Sequence, residues 1–246
     1  MDTDTEWEKW GERDPYFAVL TDPKFRSANL SDEARREFFD SGRLHVNHVL
    51  DACQRYVNPQ FSRGSVLDFG CGTGRLALPF AEQFEHVTAV DVSQAMLREA
   101  RQNAEAAGLK NITWLPSDDS LSAVQGRFDL VHSVITLQHV DVPRGRALFA
   151  RLVELVAEGG VGAIQITYGN AGLHSTYGIL PDNMRIVPPP PSRDGEDPVM
   201  LMSMHSLSEL AFLMQSRGIG HFSADFTEHD GSLGVFLYFG KPGVRT

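Results

Sequence analysis

Asp68 follows two apolar residues, Val66 and Leu67, and precedes glycines at positions 70, 72 and 74. Val66-Leu67 reads as the end of a buried strand. The glycines read as a tight turn whose bare backbone N–H groups can come close to a ligand. From Arg75 onward the pattern is helical. A strand, a glycine-rich turn and a helix in succession make a nucleotide-cofactor site at the carboxyl end of an open α/β sheet. A second apolar run, Val87-Thr88-Ala89-Val90, ends in Asp91, which lies 21 positions after Gly70. An acid at the end of the second strand, about 20 residues on, is placed to accept hydrogen bonds from ribose hydroxyls.

Spacing and charge narrow the cofactor. The dinucleotide fingerprint is G-x-G-x-x-G, whereas Gly70, Gly72 and Gly74 give G-x-G-x-G with Arg75 in the sixth place. A pyrophosphate at this turn would be repelled by Asp68, and an ammonium would be attracted. S-adenosylmethionine carries an ammonium, a sulfonium and a diol, and no phosphate. Here the sequence resembles the class I S-adenosylmethionine-dependent methyltransferases of small-molecule type, whose first motif is an acidic residue followed by G-x-G-x-G. The resemblance implies that Asp68 meets the methionine ammonium, directly or through a water. It places Gly70, Cys71, Gly72 and Gly74 along the cofactor and Asp91 on the ribose, with Val92 and Met96 beside it. It also puts Asp118 on the adenine amino group, with Asp119 lending a backbone N–H, and Ser133 in the cofactor wall.

His139 is the candidate catalytic residue. Phe128 to Val134 reads as a fourth strand, and Leu137-Gln138-His139-Val140 after it is similar to the family's fourth-strand motif, which faces the transferring methyl. An imidazole there can take a proton from a hydroxyl or amine; the alternative is that His139 only packs against the cofactor. His132, mid-strand among apolar residues, reads as a core histidine. His45 and His48 have the spacing of metal ligands on a helix but no third ligand, so no metal site is expected. The Asn-Pro-Pro-Tyr type of tetrapeptide, which marks methyltransferases of DNA bases and planar amides, is absent after the fourth strand.

These residues need an α/β scaffold. The expected fold is a Rossmann-like, doubly wound, mostly parallel seven-stranded sheet with a C-terminal antiparallel hairpin strand. Residues 1–60 form an N-terminal helical extension or lid, and 61–246 form the cofactor domain. Residues 168–204, with Pro188 to Pro191, read as a substrate-side cap inserted after the fifth strand. In the extension, Ser31-Asp32-Glu33 starts a helix that Gly42 stops, and a second helix runs from Leu44 to Tyr56. Leu76, Phe80 and Phe84 stripe a helix after the glycine turn. Ser93 caps a helix that Gly108 closes, and Asn111 to Leu115 is the third strand. A helix opens at Pro143 and ends at Glu158-Gly159-Gly160, before a fifth strand over 161–167. Ser206-Leu207-Ser208-Glu209 is a capping box, and strands at 221–228 and 233–239 make a hairpin.

Bulk properties restrict the partners. The 246 residues carry a formal net charge of −10, with 22 Lys and Arg against 32 Asp and Glu. That argues against nucleic acid or an anionic membrane as the main partner. The two cysteines, Cys53 and Cys71, imply no disulfide framework and a reducing, cytoplasmic setting. The first residues, Met1 to Glu6, lack the apolar stretch of a signal peptide, and no run reaches membrane-spanning length. The expected acceptor is a small molecule or sugar with an oxygen or nitrogen nucleophile. Oligomeric state leaves no mark in the sequence. Two other readings stay open: a non-catalytic S-adenosylmethionine-binding module, and a nicotinamide-dependent oxidoreductase.

Overall fold

In the computed structural model seven strands form one sheet in the order β3-β2-β1-β4-β5-β7-β6. The structure describes residues 3–170, 195–229 and 231–243. β1 (Ser65–Phe69), β2 (His86–Asp91), β3 (Ile112–Pro116), β4 (Phe128–Ser133) and β5 (Val156–Asn170) run parallel. β7 (Ser232–Gly240) inserts antiparallel between β5 and β6 (Phe222–His229). This is the expected architecture, antiparallel hairpin included. Neighbouring residues of the central strands sort to opposite faces, as a period of two requires. Val66 and Leu130 join one apolar cluster, while Leu67 and Val131 join the other. Both faces are buried, which suits strands that read as continuous apolar runs.

Helices cover the two faces. α3 (Asp32–Tyr56), α4 (Ala77–Ala81) and α5 (Gln94–Ala106) place Val49, Leu50, Phe80 and Leu97 on one side. α6 (Val142–Glu154) and α7 (Leu207–Ser216) place Phe149, Leu152, Leu210 and Met214 on the other. The expected caps are present: the Ser93 side chain accepts from Met96 N–H and the Ser206 side chain from Glu209 N–H. α1 (Thr3–Arg13) and α2 (Pro15–Val19) precede α3 and pack Trp10 and Ala18 on Met96 of α5.

Three expectations are corrected. Gly42 does not stop a helix: α3 runs through it for 25 residues. A Cβ at Gly42 would stand 2.1 Å from the Arg75 carbonyl oxygen, so the glycine is there for close approach to the end of the glycine turn. The helix after the glycine turn is a short one, and Phe84 is buried beyond its end. Glu158-Gly159-Gly160 lies inside β5, which starts at Val156 because Phe128 pairs with that residue before a register shift. The cap proposed for 168–204 overlaps β5 at its start, and 171–194 lie outside the described residues.

Candidate functional site

The carboxyl ends of β1, β2 and β4 open into one pocket. It encloses about 940 Å³, its open mouth included. Its floor is Asp68 to Gly72 with Arg75 and Leu76, and one flank is Asp91, Val92, Met96 and Ser117. The other flank is Val134 to Thr136, His139, Val140, Arg144 and Leu148, and Thr3, Asp4, Trp7, Ala18 and Val19 of the first two helices close over it.

The glycine turn is tied to β2 by its backbone. Gly70 and Cys71 N–H donate to the Val90 carbonyl at 2.8 and 3.0 Å, and Gly72 N–H donates to Asp91 Oδ2 at 2.8 Å. Gly70 and Gly72 have φ of +78° and +52°, which L side chains rarely adopt. A Cβ at Gly70 would fall 2.1 Å from Thr136 Oγ1, and one at Gly72 would fall 2.7 Å from Val19. Gly74 is not part of the pocket wall; a Cβ there would strike Leu78. The third glycine therefore serves close packing rather than ligand approach.

Two carboxylates at strand ends line the pocket. Asp68 is 2% exposed; its Oδ1 lies 3.1 Å from His132 Nδ1, and its Oδ2 has no partner among the described residues. A buried carboxylate oxygen without a donor is costly unless a ligand supplies one. Asp91 accepts from Gly72 N–H and from Ser93 N–H at 2.9 Å. Burial pushes its carboxyl up to about 6, against the pull of those backbone donors and with help from the Asp68 charge. Each of its oxygens keeps a lone pair for a hydroxyl donor. Arg75, also buried, is drawn down to about 10 by desolvation, which the Asp68 charge opposes. Burial holds the Cys71 thiol well above its usual range, with Asp91 and Asp68 adding to the shift. Cys71 is thus a protonated wall residue, not a nucleophile.

His139 sits on a 3₁₀ turn (Leu137–His139) between β4 and α6. Its Nδ1–H donates to the Leu201 carbonyl at 2.8 Å, and Gln138 Nε2 donates to its Nε2 at 3.2 Å. The Trp7 ring meets it edge-on at 4.8 Å. Burial lowers its pKa to about 4, so the ring is neutral near pH 7 and its lone pair is at Nε2.

Three positions expected in the wall lie elsewhere. Asp118 is exposed and accepts from Ser120 N–H, Ser122 N–H and both serine hydroxyls, so its carboxylate builds its own loop. Those donors lower its pKa. Asp119 turns outward to an ion pair with Arg144. Ser133 is buried and donates to the Phe69 carbonyl at 3.0 Å, joining β4 to β1. Of this loop, Ser117 reaches the pocket instead. His45 and His48 form no metal cluster, and none is found among the described residues.

Other wall residues escape a reading of the sequence. Arg144, in the first turn of α6, grips Asp4 of α1 with both terminal nitrogens, at 2.6 and 2.8 Å. Glu8 accepts from Ser93 Oγ at 2.7 Å and from Ala95 N–H at 3.2 Å, which fastens α1 to the start of α5. Glu6 accepts from Val199 N–H at 2.8 Å. Ile135 carries φ of +54°, rare for a β-branched residue, at the pocket edge. Long-range ion pairs leave no periodic trace in a sequence.

Residues 66–160 match the family described as a methyltransferase domain. Among curated proteins, the 23S rRNA (uracil(1939)-C(5))-methyltransferase RlmD of Marinomonas sp. (strain MWYL1) is 28% identical over 177 residues, 66% of this chain and 38% of that protein. The ubiquinone biosynthesis O-methyltransferase of Methylocella silvestris is 37% identical over 131 residues, 53% of this chain and 48% of that protein. The chain spans about half or less of the length of the curated relatives it matches. Magnesium protoporphyrin IX methyltransferase of Synechocystis PCC 6803, crystallised with SAH, has a TM-score of 0.65 at 17% identity, covering 98% of this chain and all 100% of that one. The DhpI-SAM-HEP complex has a TM-score of 0.62 at 22% identity, covering 95% and 94%. At these identities the likeness of the solved structures is one of fold.

Proposed function

We propose, from residues 66–160 being a methyltransferase domain on a Rossmann-like class I fold, that this protein transfers a methyl group from S-adenosylmethionine to an oxygen or nitrogen of a small molecule. The observation that carries the reading is the unpartnered Asp68 Oδ2, buried beside the glycine turn one strand away from Asp91. An anionic acceptor there suits an ammonium and opposes a pyrophosphate. When bound, S-adenosylmethionine supplies an activated methyl carbon on sulfur with a neutral leaving group.

The chain's own residues then hold, orient and exclude water. Asp68 accepts from the ammonium. The positive-φ glycines let backbone approach the ligand without side-chain atoms in the way. Asp91 accepts from the ribose hydroxyls, and the base lies against Val92, Met96 and Ser117. In-line placement of nucleophile and methyl is the main demand of this displacement. Thr3, Asp4 and Trp7 cover the pocket and keep it dry. One proton must leave the acceptor as its new bond to carbon forms. His139 Nε2 takes it once the Gln138 amide swings away, while Nδ1–H stays on the Leu201 carbonyl. A base with a pKa of about 4 suffices, because a hydroxyl oxygen becomes strongly acidic as it gains a methyl.

The rRNA methyltransferase relatives raise RNA as a second acceptor class. The net charge of −10 weighs against it, since phosphate backbones need a basic footprint. Transfer of labelled methyl is measured on a panel of small phenols, sugars and amines and on ribosomal RNA. Label in a small acceptor supports the reading; label in RNA alone transfers the acceptor to the second class; label in neither, with cofactor bound, leaves a binding module.

A further inference from the structure

Behind Asp68 lie two histidines that the transfer itself does not use, His132 buried and His45 half-buried. His132, fully buried in β4, is the register partner of Asp68 in β1, so the two side chains leave the same face of the sheet. His132 Nδ1 is 3.1 Å from Asp68 Oδ1. Its other nitrogen, Nε2, is 3.1 Å from Nε2 of His45 in α3. Phe80 packs on His132 with ring centres 5.2 Å apart, and Phe236 packs on His45 at 5.7 Å, so both imidazoles are clamped.

Burial, with His132, Arg75 and His48 adding repulsion, drives His45 down to about 2, so its ring carries one proton. His132 Nδ1–H donates to Asp68 Oδ1, and the two facing Nε2 atoms share one proton between the rings. Asp68 lines the pocket, and its Oδ2 is buried with no partner among the described residues.

We infer that His132, backed by His45, is a positioning residue for the cofactor: it pins one oxygen of Asp68 so that the other is presented to the ligand's ammonium. This rests on the reading of the pocket as an S-adenosylmethionine site. His132 Nδ1 holds Oδ1 at 3.1 Å, which fixes the plane of the carboxylate and with it the direction of Oδ2. His45 in turn keeps the His132 ring from rotating Nδ1 away.

The test compares two ligands on the full chain. S-adenosylhomocysteine has the amino-acid portion; 5′-methylthioadenosine has the nucleoside and sulfur without it. His132→Leu removes both contacts of the ring, whereas His132→Asn sets an amide N–H close to where Nδ1 sits. His45→Leu removes the backing donor, and His45→Gln restores one near Nε2. His132→Leu is expected to weaken S-adenosylhomocysteine about tenfold, and His45→Leu about threefold, in calorimetry. Neither is expected to change 5′-methylthioadenosine binding, and His132→Asn and His45→Gln are expected to stay close to the parent. Equal weakening of both ligands, or no weakening of either, overturns the inference. If His132→Leu does not fold, the two His45 variants decide with the same ligands. A parent that binds neither ligand overturns the cofactor reading, and the inference falls with it.

Discussion

Asp68, the glycine turn and Asp91 come from one continuous strand–turn–helix–strand segment, and the backbone itself holds them through the bonds from Gly70, Cys71 and Gly72 to the end of β2. Trp7 faces them from α1, and His139 and Arg144 from the segment after β4, held by side chains: Asp4 to Arg144, His139 to Leu201, Glu6 to Val199. The first region is made stiff by its fold. The second is assembled from contacts that break one at a time. Contacts held by single side chains are the ones that open first in local fluctuations, so the two walls are expected to respond differently to substitution.

The rigid wall predicts the largest effect. Gly70→Ala puts a methyl 2.1 Å from Thr136 Oγ1 at a φ of +78°. Cofactor binding is expected to fall below detection in calorimetry, and stability to drop by about 2–3 kcal/mol in denaturant unfolding. Gly220→Ala, with open space around it, is the control and is expected to change neither. A tolerated Gly70→Ala would mean that the turn is not the stiff part.

Asp91→Ala comes next. It removes the acceptor proposed for the ribose, and cofactor affinity is expected to fall about 10- to 100-fold. The same group predicts a pH dependence. Its carboxyl is raised from 3.8 to about 6 in the folded protein, so folded chains hold its proton more tightly than unfolded ones. The stability gained from that proton is full below about 4 and is lost as pH rises through about 6. Ligand affinity moves the opposite way: the ribose hydroxyls need the ionised form, so affinity rises between about pH 5 and 7. Asp91→Asn is expected to flatten this rise, and a rise that survives it would assign the titration elsewhere.

The assembled wall predicts the smallest effects. Arg144→Ala removes the bidentate grip on Asp4, a pair in which Asp4 is 38% exposed, so stability is expected to fall by less than about 1 kcal/mol. Affinity for S-adenosylhomocysteine is expected to change less than threefold, with α1 exchanging hydrogen faster. A tenfold loss of affinity would erase the contrast between the walls.

That contrast also explains what the sequence disclosed. The sheet, its order and the antiparallel β7 follow from apolar runs, glycine punctuation and caps, each a local signal. So does the gathering of Asp68, Gly70, Gly72 and Asp91 at one pocket, since their spacing is set by one turn. Gly74 and Ser133 share the motif but face the packing between elements. Asp118 lies off the pocket lining, where a local rule accounts for its place: serines two and four positions on hold its carboxylate. Gly42 misled because a glycine within a helical pattern reads equally as a stop or as a point of close contact, and only the Arg75 carbonyl decides between them. Arg144, Asp4 and Leu201 depend on how distant elements dock, which no periodicity encodes.

The central claim is that the Asp68 charge beside the glycine turn selects a cationic nucleoside. Parent protein and Asp68→Asn are titrated calorimetrically with S-adenosylhomocysteine and with NAD. The account predicts one site per chain for S-adenosylhomocysteine, no heat from NAD, and affinity for the former at least tenfold weaker in Asp68→Asn. Binding of NAD by the parent, or S-adenosylhomocysteine bound equally well without the charge, would contradict it.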